Sequence, residues 1–183
     1  MKYFSLFGFA GSLRKNSFNR GLLSRASEIL PVGLTLEVMG LDGLPLYNDD
    51  IPADNLPKTV TEFRQKIAGA DALLIASPEY NYSITGVLKN ALDWASSDTF
   101  GNVMAGKITA IMGASKTQFG TVRGQLHLRQ TLHAMNTRTL SRPEVFVQNA
   151  GKLFNGNGNL VDNTTTARIL KLLTTLLYEL THE

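Results

Sequence analysis

A doubly wound α/β domain, a parallel sheet with helices on both faces, is the fold that this sequence predicts. Three observations predict it. Five near-continuous apolar runs of strand length recur along 183 residues. They alternate with five segments of helical periodicity. The first and third runs lead directly into polar, turn-forming loops. Runs that are apolar at nearly every position suit strands covered on both faces, which is the condition inside a parallel sheet. The helical connections between such strands are right-handed. Loops leaving their carboxyl ends line the crevice where ligands bind.

Strands are expected at Phe4–Ala10, Leu34–Met39, Ala72–Ala76, Ile108–Ala114 and Glu144–Gln148. Between the first two, Phe18, Leu22, Leu23, Ala26, Ile29 and Leu30 fall on one helical face, and Pro31 ends the helix. Val60, Phe63, Ile67 and Ala70 form a second stripe, and Val87, Leu88, Ala91, Leu92 and Ala95 a third. Val122, Leu126 and Leu132 mark a fourth. Ile169, Leu170, Leu173, Leu176, Leu177 and Leu180 mark the last. Residues 40–57 carry three prolines among Asp and Asn, and 149–163 are rich in Asn and Gly; both read as surface loops. Residues 1–183 read as a single domain without internal repeats, long enough for a substantial core.

Composition narrows the chemistry. A chain 43% hydrophobic and 18% charged is that of a soluble globular protein. It has no cysteine, so disulfides, thiolate nucleophiles, iron–sulfur clusters and cysteine-bound zinc are excluded. No stretch approaches the roughly 18 apolar residues of a membrane span. The amino terminus enters a strand with no cleavable leader before it, so the expected location is the cytoplasm. A net charge of +3 suits an anionic small molecule and is too small to argue for nucleic acid.

The first loop runs Gly11-Ser12-Leu13-Arg14-Lys15-Asn16-Ser17-Phe18-Asn19 into the start of a helix. A helix amino terminus offers unpaired N–H groups and positive partial charge, which suit a phosphate. Ser12 and Ser17 add hydroxyl donors, Asn19 an amide donor, and Arg14 a charge-assisted hydrogen bond. The spacing is neither that of a nucleoside triphosphate loop nor that of a dinucleotide fingerprint. The plainer alternative is that Ser17 only caps the helix and Arg14 is only solvated.

The second loop is Ser77-Pro78-Glu79-Tyr80-Asn81-Tyr82-Ser83. Pro78 stiffens the strand exit, Tyr80 can pack at a planar ring, and Asn81 offers both a donor and an acceptor to a polar ring edge. The plainer alternative is an ordinary turn with a surface tyrosine. After the fourth run, Gly113-Ala114-Ser115 is small enough to admit close approach. An N–H or hydroxyl there, near the ring's carbonyl edge, would stabilise the anion formed on reduction. Phosphate loop and ring loop together point to flavin mononucleotide (FMN).

These motifs, followed by Gly86-Val87-Leu88-Lys89-Asn90-Ala91-Leu92-Asp93-Trp94 and Arg123-Gly124-Gln125-Leu126-His127-Leu128-Arg129-Gln130, resemble the NADPH-dependent FMN reductase-like family, nearest its chromate and quinone reductase branch. The resemblance covers essentially the whole chain. It implies a flavodoxin-like three-layer sandwich whose five-stranded parallel sheet has order 2-1-3-4-5. It implies non-covalent FMN, NADPH or NADH as hydride donor, and electron transfer to quinones, azo dyes, metal oxyanions such as chromate, or free flavin. The cofactor-binding set expected is Ser12, Arg14, Ser17, Phe18, Asn19, Pro78, Glu79, Tyr80, Asn81 and Ser115. The resemblance also implies a homodimer or homotetramer joined through the third and fourth helices, where Leu88, Leu92, Trp94, Leu126 and Leu128 look like an apolar surplus.

Three positions depart from the family pattern. Thr85 stands where proline is usual, and Thr117 and Thr121 where glycine is common, so the first is expected to loosen a loop and the others to alter the mouth of the site. His127 and His133, six apart, have no ligand-pair spacing, and no metal site is expected. No side chain is expected to be catalytic, because the flavin carries the redox chemistry. The expected reaction is a ping-pong cycle with a small-molecule acceptor, without nucleic acid or membrane insertion. The alternatives are a flavodoxin-type electron carrier, against which the positive charge and Arg14 argue, and a flavin binder without turnover.

Overall fold

The computed structural model describes residues 3–182. Its elements run β1 (Phe4–Ala10), α1 (Phe18–Glu28), β2 (Leu34–Met39), α2 (Lys58–Gly69), β3 (Ala72–Ala76), α3 (Gly86–Ser96), β4 (Ile108–Ala114), α4 (Val122–Ala134), β5 (Arg138–Thr139), β6 (Val145–Val147) and α5 (Asn163–Thr181), with short 3₁₀ turns at Ala53–Asn55 and Ala150–Lys152. The sheet is parallel throughout, in the order β2-β1-β3-β4-β5. This is the flavodoxin-like order.

The fifth position differs from the single strand expected at Glu144–Gln148. Two short strands fill it in succession. β5 pairs with the start of β4 through Ile108 and Thr109, and β6 pairs with its end through Met112 to Ala114. Pro143 lies between them and has no N–H to give to a ladder.

Alternate strand residues serve opposite layers. Leu6, Leu74 and Ala110 pack with Leu22 and Leu23 of α1 and with Ile169, Leu172, Leu173 and Leu176 of α5. Phe7, Phe9, Leu73, Ile75 and Ile111 pack with Phe63 and Ile67 of α2, Leu88 and Leu92 of α3, and Leu128 and Leu132 of α4. On that side Phe63 meets the rings of Phe7 and Phe9 edge-on, at 5.8 and 5.3 Å between centroids.

Several expected surface features are core. Trp94, Leu88 and Leu92 are fully buried within one chain. The Trp94 indole donates to the Pro45 carbonyl at 2.9 Å, and its ring packs on Tyr47 and Phe100. The apolar surplus assigned to a subunit interface is therefore largely consumed internally. The 40–57 and 149–163 segments are likewise not mere surface: Leu41, Ala150, Phe154 and Leu160 are buried. Conversely Leu126, counted on the inner face of α4, is 57% exposed; Gly124, Gln125, Leu128 and Leu132 face inward instead. Arg64 of α2 is buried and donates to the carbonyls of Trp94, Phe100 and Gly101, which secures the end of α3.

The longest helix, α5, begins with Asp162, whose Oδ2 accepts from the Thr165 N–H at 2.6 Å. Hydrogen bonds from Thr165, through side chain and then backbone, hold its carboxyl below the usual carboxylate range. Stability gained this way is full above the ordinary carboxylate pKa and is lost as pH falls through the depressed one. Asp162→Ala is expected to cost about 1 kcal/mol at neutral pH. The deficit should shrink in acid. Denaturant unfolding at both pH values checks it, and an equal deficit at both would refute the ionised cap.

Candidate functional site

Neighbouring strands β1, β3 and β4 run in register, with Ala10 beside Ala76 and Ala76 beside Met112. The ladder continues one step past the strands: Gly11 N–H donates to Ala76 at 3.0 Å and Ser77 N–H to Met112 at 2.9 Å. Three loops therefore start side by side. The helix after β1 packs on one face and the helix after β3 on the other. The loops diverge at this point and leave a crevice.

A cleft of about 180 Å³ opens there, lined by Ser12, Arg14, Ser17, Phe18, Asn19, Pro78, Glu79, Tyr80, Ala114, Ser115 and Lys116. Nine of the ten residues expected to hold a cofactor converge on it. The tenth, Asn81, lines an adjoining wider depression of about 410 Å³ with Tyr82 and Thr117, and the two spaces share Glu79 and Ser115. A further groove of about 420 Å³ between α1 and β2 shares only Ser12 with the cleft. It carries three serines but a single cation, Arg20, and neither Ser17 at the start of α1 nor any residue of the loops after β3 and β4, so the candidate site is the smaller cleft.

The phosphate-loop side chains divide by role. Ser17 is buried at the amino-terminal cap position of α1, yet its hydroxyl makes no cap hydrogen bond. Its hydroxyl is therefore not engaged in a side-chain cap of α1. Arg14 is exposed at the rim, and Lys116 faces it from the β4 loop as a second cation. Asn19 has another duty. Its amide donates to the Ala114 carbonyl and accepts from the Ala114 N–H, both at 3.0 Å. It braces α1 to the end of β4, and only one of its N–H donors remains for a ligand.

Ser115 is also more committed than expected. Its N–H donates to the Val147 carbonyl at 3.0 Å, so that donor is unavailable to a ring. Its hydroxyl accepts from the Thr117 N–H at 3.2 Å. Thr121 is fully buried and accepts from Gln125 at 2.9 Å; of the two threonines assigned to the mouth, only Thr117 lies there. Thr85 does not merely loosen its loop. It caps α3 by accepting from Leu88 N–H, and it donates to the Gly11 carbonyl at 2.7 Å, tying the ring-loop helix to the phosphate loop.

Lys116 lines the cleft and was not among the residues expected there; the signal that could have found it is a cation directly after Ser115 on the loop leaving β4. Asn16 donates to the Gly156 carbonyl, and the Phe18 and Phe154 rings lie 4.9 Å apart, so the 149–163 segment props the phosphate loop. Its Asn and Gly content concealed that role.

A family model described as NADPH-dependent FMN reductase matches residues 4–152. The chain belongs to the NADPH-dependent FMN reductase family. It is 45% identical to the NAD(P)H-dependent FMN reductase of Pseudomonas aeruginosa, over 92% of this chain and 91% of that protein. It is 40% identical to the 2-hydroxy-1,4-benzoquinone reductase of a Burkholderia species, over 85% and 84%. Among solved structures, the flavoenzyme NAD(P)H:(acceptor) oxidoreductase of Paracoccus denitrificans superposes with a TM-score of 0.87 at 28% identity, covering 98% of each chain.

As a family member the protein is an oxidoreductase that uses FMN with NADPH or NADH as hydride donor. The enzyme reading prevails over the carrier and over the flavin binder without turnover. The residues present fit the cofactor. A helix amino terminus free of side-chain capping, two hydroxyls and two cations converge on the narrow cleft, and the wider depression lies beside it. Among the described residues no helix is long and apolar enough to cross a membrane, and no cluster of His, Asp or Glu could hold a metal.

Asn19→Ala would leave the Ala114 N–H and carbonyl unpaired in a buried place. The expected loss is about 2–4 kcal/mol of stability. An unfolding midpoint equal to the parent's would show that Asn19 is no brace.

Proposed function

We propose that this flavoenzyme reduces quinones, and more slowly azo compounds, chromate or free flavin, with nicotinamide and acceptor using one place in turn. The observation that carries the reading is the character of the wider depression. Among the described residues Glu79 is its only charged lining residue, and Glu79 Oε2 is already held by the Gly124 N–H at 2.8 Å. The other lining groups are Asn81, Tyr82, Ser115 and Thr117, and Tyr80 nearby is 51% exposed. Discrimination between substrates comes from polar groups that a wrong substrate leaves unpaired, and few are set here for one acceptor. The names of the relatives from Burkholderia and from potato, a quinone reductase and an NAD(P)H:quinone oxidoreductase, support quinones as the leading class.

Bound FMN supplies the electron relay between nicotinamide and acceptor. The chain supplies position and electrostatics. In this reading Ser12 and Ser17 donate hydroxyls to the phosphate, the first turn of α1 presents its N–H groups, and Arg14 and Lys116 balance its charge. Pro78, Tyr80, Asn81 and the Ser115 hydroxyl would line the ring. No side chain donates or removes a proton at a reacting atom.

Arg14→Ala should weaken FMN binding about tenfold, roughly the 1.5 kcal/mol of one charge-assisted bond at an exposed site. Lys116 remains, so the loss is moderate, and Lys116→Ala on top of it should weaken binding again. Flavin fluorescence titration measures both, and parent-like affinity in the double variant would remove these cations from the site.

Initial rates over a grid of NADPH and quinone concentrations should give parallel reciprocal plots. Several quinones should serve. Intersecting plots would mean a ternary complex, and turnover with one quinone alone would mean a selective contact absent from this account.

A further inference from the structure

The turn after β3 is strained, and it is held from outside. Tyr80 and Ser83 exchange backbone hydrogen bonds, both of 3.0 Å. The two residues between them, Asn81 and Tyr82, both have left-handed backbone, with φ of 50° and 65°. A two-residue turn of this hand favours Asn followed by Gly; tyrosine in the second place is disfavoured. Three contacts from the first turns of α4 offset that cost. Glu79 Oε2 accepts from the Gly124 N–H at 2.8 Å. The Arg123 guanidinium lies 4.2 Å from the centre of the Tyr82 ring. His127 Nδ1 is 3.1 Å from the Ser83 hydroxyl.

Gly124 is what lets the loop come so near. A Cβ there would stand 3.1 Å from the Glu79 Cβ and 3.2 Å from the Ser83 carbonyl oxygen. Glycine weakens a helix, so its presence in the first turn of α4 calls for a packing reason. Thr121, at the cap position of α4, makes no side-chain cap bond. Glu79 Oε2 serves there instead, as the acceptor for the Gly124 N–H.

We propose that Glu79 and Gly124 are positioning residues that clamp the ring loop to α4 and set its conformation before the flavin arrives. The proposal rests on the FMN reading of the site and changes the part that Glu79 plays in it. Glu79 acts on the flavin through the backbone of the turn and is not itself a ligand. Its carboxylate matters as a hydrogen-bond acceptor rather than as a charge, so a glutamine amide oxygen replaces it.

The test uses the full chain with and without FMN. In the apoprotein, Glu79→Ala should speed hydrogen exchange at the Tyr80 and Ser83 amides about tenfold, with the rest of the sheet unchanged. The same variant should bind FMN about tenfold more weakly, and Glu79→Gln should restore both readouts to within about threefold. Gly124→Ala supplies the independent arm. Its Cβ would push against Glu79 and the Ser83 carbonyl, so exchange at the Tyr80 and Ser83 amides should speed up and FMN binding should fall about tenfold, with the rest of the sheet unchanged; parent-like values of both would overturn the clamp. Parent-like exchange at Tyr80 and Ser83 in Glu79→Ala overturns the clamp. So does Glu79→Gln that loses FMN with exchange unaltered, since that result makes Glu79 a direct ligand. A parent protein that binds no FMN would instead overturn the reading of the site, while exchange in the apoprotein would still decide the clamp.

Discussion

The carboxyl edge of the sheet works only because backbone meets backbone there without side chains between. A Cβ on Gly113 would lie 2.4 Å from the Ser77 carbonyl oxygen and 2.2 Å from the Thr121 hydroxyl. No adjustment of a flexible side chain relieves a contact with a carbonyl, so β4 must carry glycine where the β3 loop and α4 cross it. From that contact the site follows. The β3 loop leaves the sheet close beside β4, α4 starts directly over it, and the phosphate loop reaches the same place from β1 on the other side.

Cross-loop hydrogen bonds then fix the three loops to one another. Asn19 joins α1 to β4, Thr85 joins α3 to the phosphate loop, and Glu79 joins the β3 loop to α4. Each link uses a polar group against a backbone group of another loop, so each also satisfies a donor or acceptor that burial would otherwise leave costly. Ser12, Ser17 and the two cations remain uncommitted to such ties, and they are the groups that the phosphate reading requires. The chain thus separates the side chains that build the cleft from those left to face a ligand, so that the loop backbones are ordered before binding and only the rim cations Arg14 and Lys116 have still to be ordered.

β1, β3 and β4 were legible to the residue because both faces of each are covered, and burial on both faces writes a continuous apolar run; β2, at the sheet edge, was legible from Leu34, Leu36, Val38 and Met39 although Thr35, Glu37 and Val38 are exposed. β5 was not legible. Arg138 and Thr139 have no apolar pattern and belong to the sheet only by pairing with Ile108 and Thr109. Leu126 misled for the opposite reason: hydrophobic periodicity records which residues can be buried, and a single outward leucine breaks no rule. In the site, residue types on loops after strands identified nine lining residues and one neighbour. Their division of labour stayed hidden, because the partners of Asn19, Thr85 and Glu79 lie 95, 74 and 45 positions away along the chain. Of the N–H and hydroxyl that sequence offered after β4, the Ser115 N–H is taken by Val147, because the neighbouring strand pairs one residue beyond the end of β4.

The central claim is that this crevice holds FMN in reach of a nicotinamide, so that the protein is an enzyme in its own right. Anaerobic rapid mixing of the FMN-loaded protein with NADPH or NADH, followed at the visible flavin band, tests it most directly. The account predicts prompt bleaching by at least one of the two, and return of the band when a quinone is added. A band that persists with both nicotinamides, in protein shown to hold FMN, would contradict it.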